Sequence, residues 1–198
     1  MMPTPRIVGI GGTQRPGSST EKLVASLLEI CRSHGAETRL FGGAELTALP
    51  HYDPYDRNRT SEEAEFIDAV RQADGIVIAS PSYHGGVSGL VKNAIDLLEE
   101  TSRDDRPYFD GKPVGLIVSA AGWQAGGVTL AALRGVVHAM RGWPTPMGIA
   151  VNTAEQQPFD EVGALADWKI AEQLDAMAKQ LAIGCVGLSQ IHAADGES

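Results

Sequence analysis

The chain has 198 residues, 43% of them hydrophobic, which suits one packed domain and excludes wholesale disorder. Sixteen Lys+Arg against 25 Asp+Glu leave a net charge of −9, the wrong sign for a nucleic-acid surface. Two cysteines, Cys31 and Cys185, are too few for a secreted disulfide framework, and no apolar run reaches the ~18–20 residues that span a bilayer, so a cytoplasmic protein without a membrane segment is expected.

Residues 6–10 (RIVGI) read as a buried strand that ends in a glycine turn. Leu23, Leu27, Leu28 and Cys31 recur at helical spacing over 19–33, and Gly35 stops that helix. Residues 37–41 read as a second strand, followed by a loop over 42–59. Thr60 and Glu63 form a capping box that opens a helix through 72. The run 75–80 (GIVIAS) is a third strand, stopped by Pro81, and 90–99 is helical in period. A polar link over 104–112 leads to a fourth strand at 113–119. A helix over 128–140, a fifth strand at 147–151 and a long amphipathic helix over 163–181 follow, and beyond Gly184 a short apolar patch gives way to a loose tail. Near-continuous apolar strands alternating with helices predict an α/β fold, a parallel sheet covered on both faces. Five such units suit a flavodoxin-like three-layer sandwich of strand order 2-1-3-4-5, in a single domain over 1–198.

The first strand is followed by a loop in which three anion-binding patterns compete. A P-loop frame, Gly12-x-x-x-x-Gly17, continues as Ser18-Ser19 and lacks the phosphate-binding lysine. A dinucleotide fingerprint, Gly9-x-Gly11, has Gln14 where its third glycine belongs, and Phe41-Gly42-Gly43 replaces the acidic ribose clamp after strand two. What remains is Thr13, Arg15, Ser18, Ser19 and Thr20: small hydroxyls, one arginine and the N–H groups of a helix start, a donor set for a terminal phosphate monoester. The competing reading is that the hydroxyls only cap the helix. After strand three, Ser80-Pro81-Ser82-Tyr83-His84-Gly85-Gly86 faces that loop across the switch point of the sheet. Gly85 and Gly86 let a flat ring approach, and Tyr83 offers an aromatic surface. A third loop, Ser119-Ala120-Ala121-Gly122-Trp123, follows strand four. Trp123 either roofs this site or sits in a subunit contact. The five histidines are scattered, and no Cys/His cluster has metal-ligand spacing.

With Thr13-x-Arg15-x-x-Ser18-x-Thr20, Ala73-Asp74-Gly75, the run from Ser80 to Asp96 and Gly111-Lys112-Pro113, the sequence resembles the NADPH-dependent FMN reductase family of flavodoxin-like proteins, over about residues 6–151. The resemblance implies that Thr13, Arg15, Ser18, Ser19 and Thr20 hold the FMN phosphate. It implies that Pro81, Ser82, Tyr83, His84, Gly85 and Gly86 line the isoalloxazine, with Ser119, Ala120 and Gly122 closing the other side. It also implies a homodimer or homotetramer, with Lys92, Asn93 and Asp96 near the contact. NADPH or NADH passes a hydride to FMN, and a small-molecule acceptor takes the electrons, so no catalytic general base and no metal are expected. Two other readings stay open: a quinone, azo or metal-ion reductase on the same fold, and a non-enzymatic electron carrier. The family carries more glycine where this chain has Ala120, Ala121, Trp123 and Gln124. No clear arginine pair marks a site for the nicotinamide phosphate; Arg57, Arg59, Arg103 and Arg106, in loops, are the candidates to reach one.

Overall fold

The computed structural model describes residues 4–195. In chain order it contains β1 (Arg6–Gly11), α1 (Ser19–Ser33), β2 (Glu37–Phe41), α2 (Gly43–Ala48), α3 (Ser61–Gln72), β3 (Gly75–Tyr83), β4 (Gly86–Val87), α4 (Gly89–Leu97), β5 (Pro113–Ala120), α5 (Trp123–Ala139), β6 (Trp143–Asn152) and α6 (Trp168–Asp195). A 3-10 turn, Leu98–Thr101, continues α4. Five parallel strands pair in the order β2-β1-β3-β5-β6, and β4 folds back antiparallel on β3. Counted along the chain as parallel strands alone, this is the expected 2-1-3-4-5, a flavodoxin-like sheet.

Alternation along each strand divides the core into two layers. Val8, Ile10, Ile76, Ile78, Leu116 and Val118 point toward α3, α4 and α5, where Phe66, Val91, Ile95, Leu133 and Val137 meet them. Ile7, Val77, Ala79, Ile117 and Ile149 point the other way, onto Leu23, Leu27, Leu174, Met177 and Leu181 of α1 and α6. The strands are apolar on both faces because both faces are covered.

The starts of α1 and α3 follow the sequence closely. Ser18 accepts from the N–H of Glu21 at 3.3 Å, and Thr60 and Glu63 form the reciprocal box at 3.2 and 2.8 Å. Boundaries of three elements differ from expectation for a packing reason. β3 runs through Pro81, because β1 has already ended opposite Ala79 and Pro81 has only β5 beside it. β6 begins at Trp143 and holds Pro144 and Pro146, which an edge strand with a register shift tolerates. α5 begins five residues early, at Trp123, since buried Gly126 brings its first turn within 3.4 Å of where a Cβ would touch Ala150.

α6 begins later than expected and continues through Gly184 to Asp195, so the apolar patch and loose tail are helix up to that point; residues 196–198 lie outside the described residues. Gly184 is a close-approach residue, not a stop: a Cβ there would lie 2.6 Å from Pro113 Cβ. The segment expected as a loop over 42–59 contains α2, whose Gly42 N–H donates to Glu45 at 3.0 Å. No helix among the described residues is long and apolar enough to cross a membrane.

Candidate functional site

At the carboxyl ends of β1, β3, β5 and β6 the loops enclose a cleft of about 490 Å³. One wall is the first loop and the start of α1: Thr13, Arg15, Ser18, Ser19 and Thr20. Pro81, Ser82 and Tyr83 form a second wall at the end of β3, and Ser119, Ala120, Ala121 and Thr153 form a third from the ends of β5 and β6. A smaller hollow of about 270 Å³ shares Thr13, Arg15, Pro81 and Tyr83 and extends to Ser88, Gly89 and Leu90 at the start of α4. Another hollow, of about 260 Å³ beside Arg6, Glu37 and Arg39, lies at the amino ends of the strands, where open α/β sheets do not place ligands.

Hydrogen bonds fix the walls to one another. Thr20 Oγ1 and Ser119 Oγ, both buried and 99 residues apart in sequence, lie 2.5 Å apart and tie the first turn of α1 to the end of β5. Ser82 Oγ donates to the carbonyl of Ala125 at 3.1 Å and sits 2.7 Å from Thr129 Oγ1, which locks the end of β3 onto α5. Ser80 Oγ accepts from the N–H of Ser88 at 2.9 Å and donates to the Pro81 carbonyl. Thr153 Oγ1 donates to the carbonyl of Ala120 at 3.2 Å. Beneath the first loop, Glu21 Oε2 accepts from the N–H of Gly43 at 2.9 Å, and Gly43 lies so close to the Thr13 carbonyl that a Cβ would stand 1.8 Å from it.

The charge in the cleft opposes that of the molecule. Among the described residues, Arg15 is the one charged side chain that lines the cleft, it pairs with no carboxylate, and no Asp or Glu lines the space. The start of α1 adds partial positive charge from N–H groups without intrahelical partners. Hydroxyls, helix N–H groups and a guanidinium form a donor set that fits a phosphate monoester.

Of the residues singled out in sequence, Thr13, Arg15, Ser18, Ser19, Thr20, Pro81, Ser82, Tyr83, Ser119 and Ala120 line the cleft together. His84, Gly85, Gly86 and Gly122 do not border it. His84 (φ 55°) and Gly85 (φ 78°) make the two-residue turn between β3 and β4, with Tyr83 paired to Gly86, so the conformational freedom of Gly85 serves a hairpin. Gly122 precedes the first residue of α5. Ala121, part of the third loop read in sequence, lines the cleft as well, and Thr153 lines it unforeseen; Asn152-Thr153 follows the fifth parallel strand, and the carboxyl-end rule points there once β6 is recognised.

Two of the four loop arginines are occupied elsewhere: Arg59 pairs with Glu100 at 2.8 Å and Glu63 at 3.4 Å, and Arg106 donates to the Asp110 carbonyl. Burial pushes the Cys31 thiol up to about 11 and the Cys185 thiol up to about 12, which makes both poor nucleophiles. Among the described residues, no group of three His, Cys, Asp or Glu side chains is placed to hold a metal ion.

Comparison with known proteins agrees with the fold. An iron-sulfur flavoprotein of Archaeoglobus fulgidus is 32% identical over 131 residues, 63% of this chain and 66%, just under two thirds, of that protein. An FMN-dependent NADPH-azoreductase of Staphylococcus aureus is 30% identical over 155 residues, 73% of this chain and 75% of the azoreductase. The fold matches that of the flavoenzyme NAD(P)H:(acceptor) oxidoreductase of Paracoccus denitrificans with a TM-score of 0.74 at 20% identity, over 93% of this chain and 98% of the other. The model of the NADPH-dependent FMN reductases matches residues 5–156, and the chain belongs to that family.

Proposed function

We propose that the cleft holds FMN and that the protein oxidises NAD(P)H through it, delivering electrons to a small-molecule acceptor. The observation that carries this reading is a hydroxyl-lined, carboxylate-free cleft with one unpaired arginine at the start of α1, in a chain of net charge −9. Thr13, Ser18, Ser19 and Thr20, with the first N–H groups of α1, hold the phosphate, and Arg15 closes on it with a two-pronged grip. Pro81, Ser82 and Tyr83 line one side of the flavin ring and Ser119 and Ala120 the other. His84, Gly85, Gly86 and Gly122 act through the backbone turns that hold those walls.

FMN, when bound, takes a hydride from a nicotinamide and gives the electrons to a second acceptor. The chain then has no proton to abstract, which fits a cleft whose only ionisable side chains are Arg15 and Tyr83. Its contribution is to position two rings and exclude competing geometry. The azoreductase relative supports an azo compound as the acceptor. Assembly into a homodimer or homotetramer belongs to the same proposal, supported by the uncharged, exposed stripe Gly127, Val128, Ala131, Ala132 and Gly135 on α5.

Titration with FMN, read by quenching of flavin fluorescence, tests the site. Saturable one-to-one binding is expected. Arg15→Ala weakens it about 10- to 100-fold, the range set by losing a charge-assisted pair of hydrogen bonds. A wild-type chain that leaves flavin fluorescence unchanged, or an Arg15→Ala variant that binds equally well, contradicts the reading.

A further inference from the structure

Trp123 opens α5 two residues after Ala121, and Glu155 follows two residues after Thr153; Ala121 and Thr153 both line the cleft. The indole N–H donates to Glu155 Oε2 at 2.9 Å, a bond that joins the loops after β5 and β6 at the edge of the cleft. The residue nevertheless stays 52% exposed. Anchoring α5 does not need this ring, because Ser82 already holds Ala125 and Thr129 in the same first turns and Gly126 is buried beneath them. An indole with its one polar atom satisfied by a carboxylate has nothing left to offer but its two faces. Pinned at its edge, it has also lost much of the side-chain freedom that a stacking partner otherwise has to restrict. Tyr83, 58% exposed, lines the cleft at the end of β3, and Trp123 stands outside the lining, two residues beyond Ala121, so the chain offers two exposed aromatic rings in the loops around this cleft.

We propose that Trp123, positioned by Glu155, is a specificity-determining residue for the electron acceptor: its ring face is a stacking platform that favours planar aromatic acceptors over compact inorganic oxidants. The inference rests on the FMN reading and deepens it. Two probe acceptors separate the contributions. NADPH and a proton reduce 1,4-naphthoquinone to its hydroquinone with two electrons; one NADPH reduces two ferricyanide ions to ferrocyanide and releases a proton. Ferricyanide has no ring to stack.

In the FMN-loaded protein, Trp123→Ala is expected to lower the ratio of kcat/KM for naphthoquinone to that for ferricyanide by about three- to ten-fold, through KM, the range for one aromatic pair. Trp123→Phe restores most of the ratio. Glu155→Ala, which frees the indole, lowers it partway, and Glu155→Gln, which keeps an acceptor for the N–H, restores it. Equilibrium dialysis of the oxidised, FMN-loaded protein against 2-naphthol, a planar ring that takes no electrons, shows the same order of affinities without turnover. An unchanged ratio in Trp123→Ala, or a parallel loss with both acceptors, overturns the inference while FMN binding stands. A wild-type chain that takes up no FMN overturns the parent reading instead.

Discussion

Lys112 is fully buried at the start of β5, and its ammonium reaches the end of α3, donating to the carbonyls of Val70 at 2.5 Å and Arg71 at 3.1 Å. Both carbonyls belong to the last turn of the helix; that of Val70 also accepts from the N–H of Ala73 at 3.3 Å, and the ammonium supplies a further donor to this helix end. Burial, reinforced by the nearby Arg106, pushes its pKa down from 10.5 to about 8. The unfolded chain therefore binds this proton up to a higher pH than the folded chain does. Stability contributed by Lys112 rises with pH across the window from about 8 to 10.5 and is lost as pH falls through about 8. Relative to Lys112→Met, the wild type is expected to gain roughly 2 kcal/mol between pH 8 and pH 10, read from urea unfolding at matched slopes. A difference that does not move with pH contradicts this assignment. In sequence, Lys112 was visible only as part of Gly111-Lys112-Pro113, and its partners 41 and 42 residues earlier were not. By contrast Thr13, Arg15, Ser18 and Thr20 were legible, because a hydroxyl-rich loop between a buried strand and a helix start is read from neighbours in the chain.

Among the elements, α2 has the most consequence for the site and was the least visible. Its six residues are too short to establish helical periodicity, and the two glycines before and at its start read as loop. Gly43 supports the Thr13 carbonyl so closely that any Cβ displaces it, and Glu21 of α1 holds the Gly43 N–H from the other side. Gly43→Ala must move the first loop and is expected to weaken FMN binding about tenfold while costing roughly 1–3 kcal/mol of stability, the usual toll of overpacking. Gly42→Ala, whose Cβ meets Glu21 Cδ at 3.2 Å rather than a backbone oxygen, has the smaller effect on both. The paired titration and urea curves decide it; a Gly43→Ala variant that binds FMN like the wild type removes this support role. The same blindness to close approach misplaced the ends of α5 and α6. Gly126 and Gly184 look like breaks in the sequence but serve as contact points against Ala150 and Pro113.

For the whole molecule, the alternation of apolar strands with helical periods was enough to predict the sheet and its order, since both signals are local and strong. Which loops share one cleft then follows from topology, because every parallel strand ends on the same side. The bonds that close the cleft are not legible in this way. Thr20 with Ser119 and Trp123 with Glu155 join residues 99 and 32 positions apart, and their hydroxyl and indole groups have ordinary sequence contexts. The global charge argued against a nucleic-acid surface but left an anionic small ligand open, and the fold offsets that charge locally by keeping every carboxylate out of the lining while admitting Arg15.

The most direct test is the visible spectrum of the FMN-loaded protein under anaerobic conditions, before and after NADPH. The oxidised flavin bands are expected to bleach at a rate that saturates with NADPH and to return when 1,4-naphthoquinone is added. Bands that persist in NADPH while the protein retains FMN contradict the assignment.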